Sequence, residues 1–284
     1  MKIKCLLSRI LIFQNINEKM EEMIITTELT HQLAYCHVPK VASSLWMMAF
    51  AEMNNIDKNH AESLLKRNAL HGAIMTNFSF PLGNNPKEIE DFNKSDLYKF
   101  VFIRHPFERL VSAFHDKFEV KKQGDIMVPF LRHEIIKNVF QELKKPKSQK
   151  LSSFFNFSFE NFINFVLEEA SYNVISEPSK HWWPFSDLCK LCKVNYDFFG
   201  SLESLNEDTL CMLSNFKEYQ VLQKMRDRLK VKINAEGKHT EEMTMEYFAN
   251  LSKETILKLY ELYKVDFILG NYEFPQAYIN NGKS

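Results

Sequence analysis

The chain has 284 residues, 36 basic and 36 acidic side chains, and 45% apolar residues. That is ordinary for a globular protein and long enough to bury a sizeable core as one large or two small domains. A formal net charge of zero argues against a general nucleic-acid or membrane-surface binder. The seven glycines never come closer than the eleven residues between Gly72 and Gly83, which excludes the clustered glycines of a dinucleotide fingerprint or a Walker A loop.

Residues 1–30 stand apart as an N-terminal segment. Leu6, Leu7, Ile10, Leu11, Ile12 and Phe13 follow Lys2 and Lys4 in a run too short to span a bilayer. A weak signal sequence, a vestigial anchor and an ordinary terminus all fit. Leu33 to Val38 reads as a short buried strand ended by Pro39. Ser43 or Ser44 is placed to cap a helix carrying Leu45, Trp46, Met47, Phe50 and Met53. Residues 75–86 are rich in Asn, Pro and Gly and read as a loop.

A second strand, Tyr98 to Ile103, is stopped by Arg104-His105-Pro106. Pro106 suits the first turn of a helix, and Phe107, Leu110, Val111, Phe114 and Phe118 form its core-facing stripe. Residues 141–153 are polar and basic, a loop. Residues 159–170 form another amphipathic helix, 196–200 a third strand, and 251–263 a helix near the C-terminus. Strands alternating with helices predict an α/β fold with a mainly parallel sheet, whose ligands bind at the carboxyl ends of the strands.

Basic side chains gather between Arg132 and Lys150 and between Lys224 and Lys232. They are either solvated charge or a rim that guides an anionic substrate. Cys189 and Cys192 have CxxC spacing but no second pair, so a disulfide involving these cysteines, a zinc site and free thiols are the alternatives. Asn77, Asn93, Asn156 and Asn250 each begin an Asn-x-Ser sequon, which fits a secretory protein.

Both strand–turn–helix units carry anion-binding chemistry. His37-Val-Pro-Lys40-Val-Ala-Ser43-Ser44 brings an ammonium and hydroxyls to a helix N-terminus, where unpaired amides favour an anion. Arg104 at the second strand end and Ser112 on the next helix supply a guanidinium and a hydroxyl suited to a phosphate monoester. Arg109 is a further candidate, with a pair to Glu108 or a nearby acid as its alternative.

Together these units resemble the cofactor motifs of the Golgi carbohydrate O-sulfotransferases, of the chondroitin/dermatan 4-O type. Tyr35-Cys-His-Val-Pro-Lys-Val41 is similar to the first motif, and the run from Phe102 to Phe118 to the second, nearly end to end. His181-Trp182, Leu188 to Cys192, Tyr196 to Phe199, Glu203 to Asp208 and Leu259 to Phe267 continue the likeness in order. The resemblance implies a three-layer P-loop-like fold, with a central mainly parallel sheet flanked by helices, and a sulfotransferase domain over 31–280. It implies sulfuryl transfer from 3′-phosphoadenosine 5′-phosphosulfate (PAPS), without a metal, to a glycan hydroxyl. Lys40, Val41, Ala42, Ser43, Ser44 and Leu45 would wrap the phosphosulfate, and Arg104 and Ser112 would hold the 3′-phosphate. Lys238, His239 and Thr240 would close over the nucleotide.

A general base is needed at the acceptor hydroxyl, and His71 and His181 are the candidates. Trp182 and Trp183 would stack on a sugar ring beside His181. A Golgi location and a membrane anchor also come with the resemblance. The loop reads Ala42-Ser43-Ser44-Leu45 where the family has Gly or Cys, a Thr and then Asn, and His105 stands where the family has an acid. Those departures motivate the alternative, a catalytically silent homologue that binds nucleotide or glycan. A P-loop kinase is disfavoured, since this loop lacks the second glycine and the Lys-Ser/Thr pair that such an enzyme needs.

Overall fold

The computed structural model describes residues 23–28, 32–66, 69–119, 157–171, 178–214 and 240–283. Both basic clusters, the expected loop at 141–153, Cys5, Asn156, Lys238 and His239 lie outside them. In chain order the described elements are β1 (Met23–Glu28), β2 (Leu33–Cys36), α1 (Ser43–Met53), α2 (Lys58–Lys66), α3 (Leu70–Phe78), β3 (Ser79–Leu82), α4 (Pro86–Lys94), β4 (Tyr98–Ile103), α5 (Pro106–Lys117) and α6 (Phe159–Ser171). Then come a 3-10 turn (Pro178–His181), α7 (Phe185–Leu188), β5 (Phe198–Ser201), α8 (Leu205–Leu213), α9 (Thr240–Phe248), α10 (Lys253–Gly270) and α11 (Gln276–Asn281). The chain divides into two compact units, a sheet unit within residues 21–104 and 185–239 and a helical unit within 105–184 and 240–284.

The sheet unit holds five strands in the order β3-β1-β2-β4-β5. The three strands expected from the sequence, β2, β4 and β5, are neighbours and run parallel, with Leu33 beside Tyr98 and Phe100 beside Phe198. An α/β fold built on a central sheet flanked by helices is therefore present. β1 adds antiparallel pairings to β2 and β3, which make the sheet mixed. β1 falls inside the N-terminal segment that the sequence reading set apart, and β3 inside the stretch read as a loop. β3 lies at the sheet edge, where Pro81 costs no ladder hydrogen bond to a further neighbour. The turn residues after β3 do start a helix: Asn85 caps α4 by accepting from the Lys87 amide at 2.9 Å, and Pro86 opens it.

The core of this unit is aromatic. Tyr35, Trp46, Phe50, Phe100 and Phe102 are each about fully buried, and Trp46 meets Phe102 with ring centroids 4.8 Å apart. Gly200 is required by that packing, since a Cβ there would stand 2.3 Å from the Phe102 ring.

The helical unit starts where Pro106 opens α5. Phe107, Leu110, Val111 and Phe114 are buried along one face and Phe118 follows at 0% exposure, the stripe expected from the sequence. They pack with Phe159, Phe162, Trp182, Phe248, Tyr263 and Phe267. Phe107 stacks on Phe248 at 4.4 Å between centroids. α10 begins two residues later than the hydrophobic pattern suggested, because Ser252 caps it by accepting from the Thr255 amide at 3.1 Å. No described helix is long and apolar enough to cross a membrane.

Candidate functional site

β2 and β4 are parallel neighbours, so their carboxyl ends share one sheet edge. The loop after β2 and the residue after β4 meet there: Arg104 Nη1 donates to the Lys40 carbonyl at 3.3 Å. Arg104 is 7% exposed and is the last residue of the sheet unit's first segment. Lys40 and Ala42 both hold positive φ, 68° and 50°. For residues with a side chain this left-handed backbone costs about 1–3 kcal/mol each. Ala42, left-handed, is followed by Ser43 at the start of the right-handed α1, and such a pair turns successive amides into a concavity suited to an anion. Val38 and Val41, both 0% exposed, peg the loop to the core on either side of Lys40.

The helix start differs from the sequence expectation in one respect. The N-cap of α1 is Ala42, not Ser43 or Ser44, and no side chain caps the helix. The Ala42 carbonyl accepts from Leu45 and Trp46 at 2.9 and 3.2 Å. The left-handed turn brings Ala42 into the cap position one residue early, so neither serine spends its hydroxyl on capping. Lys40, Val41, Ala42, Ser43, Ser44 and Leu45 thus form one continuous turn into a helix N-terminus.

The other candidates are scattered more widely. His71 lies in the first turn of α3. Ser112 is half-buried, two turns into α5 of the helical unit, while Arg104 belongs to the sheet unit. Thr240 is the first residue of α9. His181 ends the 3-10 turn and is half-buried. The tryptophans beside it are not open stacking faces: Trp182 is 0% and Trp183 5% exposed. The Trp182 ring packs on Phe118, Phe162 and Phe165, and its Nε1 donates to Glu169 at 2.8 Å. Arg109 is buried too, donating to the carbonyls of Trp183 and Lys180.

His105 has a packing explanation. Its ring lies 5.0–5.9 Å from those of Phe107, Phe267, Tyr272 and Tyr278. A carboxylate in its place would lose water against aromatic surfaces.

Cys36, the last residue of β2, is bonded to Cys189. Cys192 is also disulfide-bonded, and Cys211 is an exposed free thiol. The disulfide alternative therefore replaces the zinc site for the CxxC pair. Cys36 precedes Lys40 by four residues, so the bond anchors the strand that delivers the loop. In the chain-entropy account, closing a loop of 153 residues disfavours the unfolded chain by about 5 kcal/mol. Among the sequons, Asn77 and Asn250 are exposed, whereas Asn93 uses its carboxamide on Lys193 and Asn195.

Sequence reasoning missed a third group at the same sheet edge. After β5, Asp208 accepts from the Ser201 amide at 2.7 Å and the Ser204 hydroxyl at 2.6 Å. The available signal was a strand followed by two serines and a helix with acids in its first turn. A polar cavity of about 300 Å³, lined by Asn93, Asp96, Lys99 and Asp197 among others, lies instead at the start of β4, away from Lys40.

A profile described as the sulfotransferase family matches residues 24–273. Carbohydrate sulfotransferase 11 of Mus musculus is 32% identical over 251 residues, 86% of this chain and 66% of the relative. Carbohydrate sulfotransferase 12 of Mus musculus is 28% identical over 258 residues, 87% of this chain and 59% of the relative. Carbohydrate sulfotransferase 9 of Homo sapiens is 28% identical over 263 residues, 88% of this chain and 53% of the relative. The chain thus spans just under two thirds, or less, of the length of these relatives. No solved structure matches it. The profile covers the Lys40–Leu45 loop, the Arg104 strand end and the His181 segment alike, and the chain belongs to the sulfotransferase family.

Proposed function

We propose that this protein transfers a sulfuryl group from PAPS to a hydroxyl of a glycan, of the chondroitin/dermatan type or a related carbohydrate. The observation that carries the reading is the loop Lys40–Ala42, left-handed at both ends and braced by Arg104 at the start of an uncapped helix. Such a loop suits a dianionic phosphosulfate without needing glycine. The names of the relatives support a carbohydrate acceptor.

In this reading the amides and side chains from Lys40 to Leu45 hold the phosphosulfate. The Lys40 ammonium meets the charge that grows on the bridging oxygen as the sulfur–oxygen bond breaks. Arg104 and, by resemblance, Ser112 take the 3′-phosphate, and Lys238 and Thr240 close over the nucleotide. The acceptor oxygen bonds to sulfur, its proton passes to a histidine, His71 or His181, and adenosine 3′,5′-bisphosphate departs. We assign the activity to residues 31–280 together with β1, and to the Golgi lumen or membrane. The pairing of Cys36 with Cys189 supports an oxidising compartment.

The test is a radiolabelled-sulfate assay from PAPS over chondroitin, dermatan, desulfated heparan and N-glycan acceptors. Label should enter at least one glycan and disappear with Lys40→Ala. Thermal stabilisation by adenosine 3′,5′-bisphosphate without labelling of any acceptor would establish the silent homologue instead.

A further inference from the structure

The segment from Pro178 to Pro184 is held by buried polar groups from three helices of its own unit. Arg109 on α5, 1% exposed, donates from Nη1 to the Trp183 carbonyl at 2.6 Å and from Nη2 to the Lys180 carbonyl at 3.0 Å. Glu169 on α6, also 1% exposed, accepts from the Trp182 indole and from the Ser179 hydroxyl. Tyr263 on α10 donates its hydroxyl to the Trp182 carbonyl. Burial, with Asp266 and Glu169 nearby, pushes that hydroxyl far above its ordinary pKa against the pull of Arg109, so it stays a donor.

The carbonyls before and after His181 are thus taken by side chains, as are the side-chain donors of its neighbours Ser179 and Trp182. A short connecting turn does not need this. Its backbone groups can be met by water or by other backbone, whereas burying a guanidinium and a carboxylate costs several kcal/mol before their hydrogen bonds offset it. Buried polar scaffolding concentrated on one short segment is the way a side chain is fixed to a fraction of an ångström.

We propose that Arg109, Glu169 and Tyr263 are positioning residues that fix the backbone on both sides of His181, so that its imidazole meets the acceptor hydroxyl and takes its proton. This rests on the sulfuryl-transfer reading above and selects His181 over His71 as the base. The three act through His181 and touch no substrate themselves.

A double-mutant cycle tests it, because a positioning effect vanishes once the positioned group is gone. Tyr263→Phe removes one hydroxyl and keeps the ring, and Arg109→Lys keeps the charge but loses the fork that reaches two carbonyls. Each should lower single-turnover transfer about tenfold, with acceptor KM and the Kd for adenosine 3′,5′-bisphosphate within about twofold of wild type. In a His181→Ala background, itself at least about a hundredfold slower, neither change should slow transfer further. The proposal is overturned if Tyr263→Phe slows His181→Ala as much as it slows wild type, or if His181→Ala transfers at the wild-type rate. A wild-type chain that labels no acceptor overturns the sulfuryl-transfer reading and this inference with it. An active wild type with additive variants overturns the positioning alone.

Discussion

Two strand-to-helix crossings leave the same edge of the sheet, and they are built from opposite materials. After β2 the chain offers backbone: Lys40 and Ala42 in left-handed conformations, and a helix no side chain caps. After β4 it offers a side chain. Arg104 reaches sideways to the Lys40 carbonyl, while His105 and Pro106 lead into α5 by an ordinary extended step, His105 holding φ at −50°. A guanidinium that braces a strained loop makes the second crossing a support for the first.

That contrast can be broken in order of expected effect. Lys40→Ala should cost about a hundredfold or more in turnover, the usual loss when a charge aimed at a transition state is removed, with melting temperature little changed. A stopped assay of labelled sulfate reads the first quantity and calorimetry the second. Arg104→Lys should weaken adenosine 3′,5′-bisphosphate binding about tenfold, since a point charge cannot serve the loop carbonyl and an anion at once. Isothermal titration that returns the wild-type Kd would mean that Arg104 is not a brace. His105→Asp restores the acid that the resemblance expects, yet should destabilise the fold by about 1–3 kcal/mol by setting a carboxylate among four aromatic rings. A variant as stable as wild type in urea, or more active, would show the aromatic enclosure to be irrelevant. Smallest and opposite in sign, Ala42→Gly should raise stability or leave it within about 1 kcal/mol, because glycine takes φ of 50° without penalty. Loss of stability on that change would argue that the methyl group of Ala42 packs, and that the loop is set by side chains after all.

The sequence was most informative where local chemistry decides the outcome. Pro106 and the stripe from Phe107 to Phe118 marked α5, and β2 and β4 stood out as short apolar runs ended by Pro39 and by Arg104-His105-Pro106. It misled where pairing partners are distant. Pro81 argued for a loop, but an edge strand tolerates it, and only β1 on its inner side makes β3 a strand. The left-handed turns at Lys40 and Ala42 carry no glycine to announce them. Trp182 beside a histidine suggested sugar stacking, yet its indole answers to Glu169, thirteen residues back in the chain. Nothing local announced that Arg109 reaches carbonyls 71 and 74 residues away.

The bond between Cys36 and Cys189 also sets an order in time. The two thiols are separated by 153 residues, so Cys36 is made early and cannot meet its partner while the chain between them is still being synthesised. The strand that delivers Lys40 can pair in the sheet before then, but it is not locked until residue 189 has appeared and the two sulfurs have met. The Lys40 loop is thus translated well before it is secured, and a chain cut short before Cys189 would carry the loop without its anchor.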